Sequence, residues 1–373
     1  MQAVVISGTG LYTPPFSISN EELVTCFNAY AADFNAAHAD AIGAGQCAPL
    51  EASSAEFIEK VSGIKSRHVM EKDGILDPAR MVSRIAERGD EQISLQAEMA
   101  VAAARMALER AGRTAADIDM VVVACSNMQR AYPAIAIEVQ GALGIAGYGY
   151  DMNVACSSAT FGIQNAVAAI QSGQARAVLV LNPEITSGHL NWRDRDSHFI
   201  FGDACTAIVL ESAAAAGSAC QFEILETRLQ TSFSNNIRNN FGFLNRFDEA
   251  GVGQPDKLFR QQGRRVFKEV CPMAAGMIKD TVERAGIDVT RLQRLWLHQA
   301  NLNMNLLITR MVLGRDAEPR EAPVILDRYG NTSSAGSIIA FHLHQDDLPA
   351  GALGVICSFG AGYSIGCAVL RKR

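Results

Sequence analysis

The sequence is poor in charge and in aromatic side chains: Asp, Glu, Lys and Arg make up 19% and Phe, Trp and Tyr 7%. Its net charge of −6 is the reverse of the basic excess that phosphate backbones select, so nucleic acid is not an expected partner. Long apolar runs are missing as well. Met120 to Cys125 is typical, far short of the roughly 20 residues that a membrane-spanning helix needs, and no membrane association is expected. The nine cysteines are spread singly from Cys26 to Cys367, none at CxxC spacing. That pattern speaks against a disulfide framework or a zinc cluster. Residues 1–10 read as a strand and a turn, with no basic leader region or cleavage signal. A soluble, cytoplasmic protein with reduced thiols is the expectation.

What the chain does have is apolar mass. Hydrophobic residues are 49% of 373, enough for about two to three structural units with sizeable cores. It also has an internal echo. Leu95, Met99, Ala102 and Met106 sit at helical spacing before Glu-Arg-Ala-Gly112, and an apolar strand then ends at Cys125. Met273 and Met277 precede a second Glu-Arg-Ala-Gly286, and that strand ends at His298. Further on, a small-residue turn at Cys156 opens a helix that is followed by a strand from Ala177. A turn at Asn331 opens another helix, followed by a strand from Ala352. The pairs Gly112/Gly286, Cys125/His298, Cys156/Asn331 and Ala177/Ala352 all stand 173 to 175 residues apart. The period predicts an α/β fold of two duplicated β-α-β-α-β halves, residues 1–215 and 216–373, stacked as five layers, α-β-α-β-α. Small residues at 155–160 and 332–337 would let two helices approach at a central dyad.

The dyad is where chemistry collects. Cys156 opens an amphipathic helix of roughly 15 residues, and a helix N-terminus favours a thiolate. His298 stands at the C-terminal end of a strand, where α/β folds build their sites. Asn331 stands opposite Cys156 by the repeat. Taken singly, each has an ordinary reading: a small residue in a tight turn, a packed histidine, a helix N-cap. Together they place a nucleophile beside two hydrogen-bond donors in one place. The glycine-rich turn Ser358 to Gly362 either aims a backbone N–H at the same point or only connects strands.

These residues resemble the β-ketoacyl-acyl carrier protein synthase III family of the thiolase-like superfamily. The resemblance runs through Gly63-Ile64-Lys65-Ser66-Arg67, Asn153-Val154-Ala155-Cys156, Phe201-Gly202-Asp203-Ala204, His298-Gln299-Ala300-Asn301, Gly330-Asn331-Thr332-Ser333 and Phe359-Gly360-Ala361-Gly362. It implies a decarboxylative Claisen condensation. Cys156 takes an acyl group from acyl-CoA, and His298 and Asn331 stabilise the enolate formed from malonyl-acyl carrier protein. The backbone N–H groups of Cys156 and Ala361 hold the oxyanion, with no metal and no cofactor. By the same resemblance Phe57 and Arg195 contact CoA. Arg264, Arg265 and Lys268 dock the carrier protein, together with Lys257 and Arg260 in a segment whose one acid is Asp256. Tyr132 closes the primer tunnel of a partner subunit in a homodimer. The sequence departs from the family where Ala361 replaces a common Gly, Phe57 a common Trp, and Val61 and Asn303 common Arg. The segments Asn28–Ser54 and Leu229–Arg246 are places to set pocket depth, and the pattern is most like the longer branch that takes medium-chain acyl-CoA primers. The alternative keeps the fold and condenses with a CoA thioester as second substrate.

Overall fold

Nine strands line up outward from a seam between the two halves of the chain. The computed structural model describes residues 2–239, 249, 254 and 257–373. Its main sheet comprises β1 (Val4–Tyr12), β2 (Met120–Ala124), β3 (Tyr148–Met152), β4 (Ala177–Glu184), β5 (Ala204–Ser212), β6 (Phe222–Ser234), β7 (Arg294–Leu297), β8 (Leu353–Gly360) and β9 (Gly362–Lys372). Their order is β7-β8-β9-β6-β1-β5-β4-β2-β3. Read outward from the seam, β1-β5-β4-β2-β3 mirrors β6-β9-β8-β7. The inner pairs are antiparallel in both halves and the outer ones parallel. Within the main sheet the halves meet at the short β1–β6 ladder, Val5↔Glu223 and Ile6↔Phe222. Each half also carries a final antiparallel strand, β5 and β9, beyond the repeating unit visible in the sequence.

Two helices near the N-terminus, α1 (Asn20–Ala37) and α2 (Ala55–Ser62), belong to a cap outside the sheet. Ser19 and Glu22 form a reciprocal capping box that starts α1, and Ser54 caps α2. Arg67 ties the cap down. Its buried guanidinium donates to the carbonyls of Ile18 and Phe199 and to Asn20 Oδ1 at 2.8–3.2 Å. The remaining helices make layers. The helices α3 (Leu95–Ala111) and α4 (Ile135–Leu143) cover the outer face of the first half-sheet. Between the half-sheets lie α5 (Ser158–Gln171) and α8 (Ala335–Leu343). The outer face of the second half-sheet is covered by α6 (Gly263–Arg284) and α7 (Leu302–Leu313). Five layers result. Among the described residues no helix is long and apolar enough to cross a membrane.

The buried stripe of α3 differs from the sequence expectation. Leu95 and Met99 are buried, but Ala102 and Met106 face outward. The stripe against the sheet runs through Ala100, Ala103, Ala104, Ala107 and Ala111. The cause is on β1, where Gly8 and Gly10 leave no side chain between strand and helix. A Cβ on Gly10 would stand 1.9 Å from the carbonyl oxygen of Ala103, and one on Gly8 2.1 Å from that of Ala107. Only alanines fit so close an approach, and the larger side chains turn away. Gly10→Ala is therefore expected to push α3 off the sheet and to cost at least about 2 kcal/mol, read as a lower urea midpoint at unchanged slope. An unchanged midpoint would show that the helix is not seated on β1.

Candidate active site

The two central helices begin head to head. Val154, Ala155 and Cys156 lead into α5 through one turn of 3₁₀-helix, and Ala155 is held at φ +48°. The turn before α8 holds Ser333 at φ +49°. Such values are uncommon outside glycine and gather at functional turns. The strained residues Ala155 and Ser333 mark the turns as equivalents, which sets Cys156 against Ser334 and Asn153 against Asn331, so Asn331 falls three residues earlier than the sequence period suggests. The Ser333 hydroxyl lies 3.4 Å from Cys156 Sγ. Asn331 is fixed by its backbone, which bonds Ile200 and Gly202, and by its Oδ1, which accepts the N–H of Ser333 at 2.9 Å. Its amino group is left as the donor for the cavity it lines.

His298 follows β7. Its N–H donates to the carbonyl of Cys357 at 2.8 Å, and its ring meets Phe359 edge-on at 5.2 Å. The neighbouring Gln299 accepts from the N–H groups of Ile325 and Leu326, and Asn301 caps α7 while bonding the carbonyl of Val61. These bonds lock the segment from 298 to 301. Gly360 closes the site from the end of β8. A Cβ there would stand 2.7 Å from Cys156 Cβ, so only glycine lets that strand run against the thiol.

Cys156, His298 and Asn331 line one cavity of about 590 Å³. Its walls are largely apolar and include Val61, Phe199, Phe201, Phe259, Val266, Phe267 and Met304. The structure thus brings the three side chains together. It also places Phe57 at the cavity wall, with the Arg195 guanidinium stacked over its ring at 4.4 Å. Arg264 reaches the same cavity, whereas Arg265 and Lys268 stand exposed along the first turns of α6. Tyr132 is 84% exposed and outside the cavity of its own chain. Leu229 to Ser234 belong to β6. The later part of the Leu229–Arg246 segment, from 240 onward, and Asp256 lie outside the described residues.

Burial sets the electrostatics. It pushes the Cys156 thiol up to about 11, although Ser333 and the backbone N–H groups of Cys156 and Ala361 favour the thiolate. The expectation of a thiol acidified by its helix N-terminus is therefore corrected: the site's low polarity outweighs the donors. Burial likewise holds the His298 imidazole down to about 4, against an upward pull from the backbone of Ser333. The resting pair is a neutral thiol beside a neutral imidazole. Sequence reasoning missed Ser333, and it missed Glu184, a buried carboxyl at the end of β4 that bonds Ser126 and Ser334. The signal was present, since an acid closing an otherwise apolar strand is costly unless it is used.

The layered fold, with a half-buried cysteine at its centre, is a thiolase-like one. A crystal structure of 3-oxoacyl-[acyl-carrier-protein] synthase III from Aquifex aeolicus shares the architecture, with a TM-score of 0.76 and 24% identity over 99% of both chains. Residues 150–232 match the family model of 3-oxoacyl-[acyl-carrier-protein] synthase III, and residues 282–372 match the model of its C-terminal part. The chain is 68% identical to the beta-ketodecanoyl-[acyl-carrier-protein] synthase of Pseudomonas aeruginosa over 347 residues, 93% of this chain and 99% of that protein. It is 30% identical to a beta-ketoacyl-[acyl-carrier-protein] synthase III of Granulibacter bethesdensis over 100% of both chains. The chain belongs to the β-ketoacyl-acyl carrier protein synthase III family.

One consequence is measurable without substrate. Desolvation disfavours the imidazolium, so His298 stays neutral from about pH 5 upward. In histidine NMR the ring signal that is lost in His298→Gln should titrate near 4, in the same range as the buried His189 and His342. A midpoint at the ordinary value near 6.5 would mean that the ring is solvated.

Proposed function

We propose that the protein condenses an acyl-CoA primer, medium-chain such as octanoyl-CoA, with malonyl-acyl carrier protein to give a 3-oxoacyl-carrier protein, CoA and CO₂. The observation that carries this is the convergence of Cys156, His298 and Asn331 on one apolar cavity.

The first half-reaction needs a nucleophile and a proton acceptor. The neutral His298 ring offers a lone pair for the Cys156 proton. The sulfur bonds to the acyl carbonyl carbon, the carbon–sulfur bond to CoA breaks, and CoA leaves with a proton. The N–H groups of Cys156 and Ala361 already point at the sulfur's surroundings. They hold the oxyanion that forms there, and one such donor is worth about 3 kcal/mol.

The second half-reaction breaks the bond between the malonyl methylene carbon and its carboxylate. CO₂ leaves, and the electron pair becomes an enolate whose oxygen accepts from His298 and from the Asn331 amino group. A neutral imidazole is suited to both halves, because it carries one N–H and one lone pair. The apolar walls strip water from the carboxylate and favour its loss. The carbanion attacks the acyl-Cys carbonyl, and the Cys156 thiolate leaves.

Phe57 with Arg195 form the CoA-facing lip of the cavity. Arg264, Arg265 and Lys268 form a basic stretch beside the mouth that would steer an acidic carrier helix. The name of the Pseudomonas relative supports a ten-carbon product. The working form is a cytoplasmic homodimer in which the exposed Tyr132 of each subunit closes the partner's primer tunnel. The division into halves at 215/216 would put the nucleophile on one half and both donors on the other.

Two tests separate the parts. Intact-mass analysis after incubation with acyl-CoAs of rising chain length should show one acyl adduct, greatest at eight carbons and lost in Cys156→Ala. Asn331→Ala should keep the adduct and lose decarboxylation by 100-fold or more, on the order of one or two strong donors, whereas His298→Ala should lose decarboxylation to a similar extent and also form the adduct more slowly, because it removes the proton acceptor. An adduct that survives Cys156→Ala would refute the nucleophile. In the second test, Arg265→Glu with Lys268→Glu should raise KM for malonyl-carrier protein about tenfold or more and leave acylation by acyl-CoA unchanged. If the double variant behaves as wild type while malonyl-CoA serves equally well, the extender is a CoA thioester.

A further inference from the structure

Glu184 is 1% exposed. Its oxygens accept from the backbone N–H groups of Ser126 at 3.0 Å and Ser334 at 3.1 Å, from the Ser126 hydroxyl at 2.6 Å, and from the Ser334 hydroxyl. All four partners are donors, and no Lys or Arg pairs with it among the described residues. A buried carboxylate held by neutral donors alone is expensive to keep.

The contacts lead both ways across the dyad. From Ser126 the carbonyl accepts from Asn153 Nδ2 at 2.8 Å, and Asn153 Oδ1 accepts the N–H of Ala155 at 2.9 Å. Ala155 is the strained residue beside the nucleophile. From Ser334 the chain runs directly into Ser333, which touches Cys156 Sγ and is held by Asn331. One carboxyl therefore grips the turn carrying the thiol and the turn carrying the carboxamide.

We propose that Glu184 is a positioning residue that sets the spacing between Cys156 on one half and Asn331 on the other. This rests on the reading of those two residues given above. Its carboxylate serves the second half-reaction most. Acylation needs the thiol, the nearby N–H groups and the His298 lone pair, whereas decarboxylation also needs the Asn331 amino group registered against the acyl-Cys of the first half.

The charge also leaves a mark that a purely structural residue would not. Glu184 helps push the Cys156 thiol up. Burial raises its own carboxyl only to about 7, so it is ionised where that thiol titrates. The other titratable groups that feel this charge are the buried thiols of Cys125 and Cys205.

The test uses Glu184→Gln, nearly isosteric, and Ser334→Ala, which keeps the charge and cuts one arm. Each is read in three assays on the full-length protein: octanoyl-CoA acylation by intact mass, decarboxylation of malonyl-carrier protein, and the pH profile of Cys156 alkylation by iodoacetamide. Both variants should acylate within about threefold of wild type and decarboxylate about 10- to 100-fold more slowly, the order expected when donors slip by a fraction of an ångström to an ångström. Glu184→Gln alone should move the alkylation midpoint down by at least about half a pH unit, because a buried negative charge is gone. Decarboxylation within threefold of wild type in both variants overturns the proposal, and so does an equal loss in both half-reactions. An unshifted midpoint in Glu184→Gln overturns it too. That arm needs no condensation, so its result stands apart from the proposed reaction. If Glu184→Gln does not fold, Ser334→Ala alone decides, through the ratio of the two half-reactions.

Discussion

Everything in this molecule follows from one constraint: two helices must begin against each other, buried between two sheets, within reach of a single sulfur. Helix starts carry unpaired N–H groups and tolerate burial only when those groups find partners. Here the partners are Glu184, Asn153, Asn331 and the hydroxyl of Ser158. The approach also demands small side chains. Ala159 and Gly162 on α5, and Ala335 and Gly336 on α8, let the central layer close, while Gly360 lets β8 run beside the thiol. A larger residue at Gly360 would occupy the space that an incoming thioester carbonyl needs.

The same burial that makes the approach possible determines the protonation of the site. A thiol pushed up and an imidazole pushed down leave a neutral pair, and neither group carries a standing charge into an apolar cavity. In the proposed reaction charge is created first on the sulfur and then on the enolate. Fixed N–H donors are already in place to meet it. Glu184 is the exception, a carboxyl kept buried by four donors, and its location at the junction of the two turns is what makes its presence intelligible.

Around this centre the cap and the second half provide the approaches. Arg67, buried and bonded to three acceptors, fixes the cap to the turn at Phe199, and the next residues bridge Phe201 to Asn331. The cap in turn supplies Phe57 and Val61 to the cavity wall. Arg264 at the start of α6 lines the same cavity.

Patterns of period and order were readable from the amino-acid string alone. The 173–175-residue echo implied two similar halves, and apolar strands alternating with capped helices implied a layered α/β fold. The order of Cys156, His298 and Asn331 within their motifs pointed to a condensing site. These are local properties, or repeats of local properties, and the string carries them. Other features were decided in three dimensions. Which face of α3 is buried depended on Gly8 and Gly10, nearly ninety residues away. The side chain that meets Cys156 across the dyad is that of Ser333, and the strained residues align the two turns three residues away from the sequence period. The thiol's high pKa reflects walls contributed by both halves, against the influence of its own helix. Glu184 looks like one acid among many until β4 carries it to the junction of two turns. Burial and close approach are sums over distant segments, and only the folded chain evaluates them.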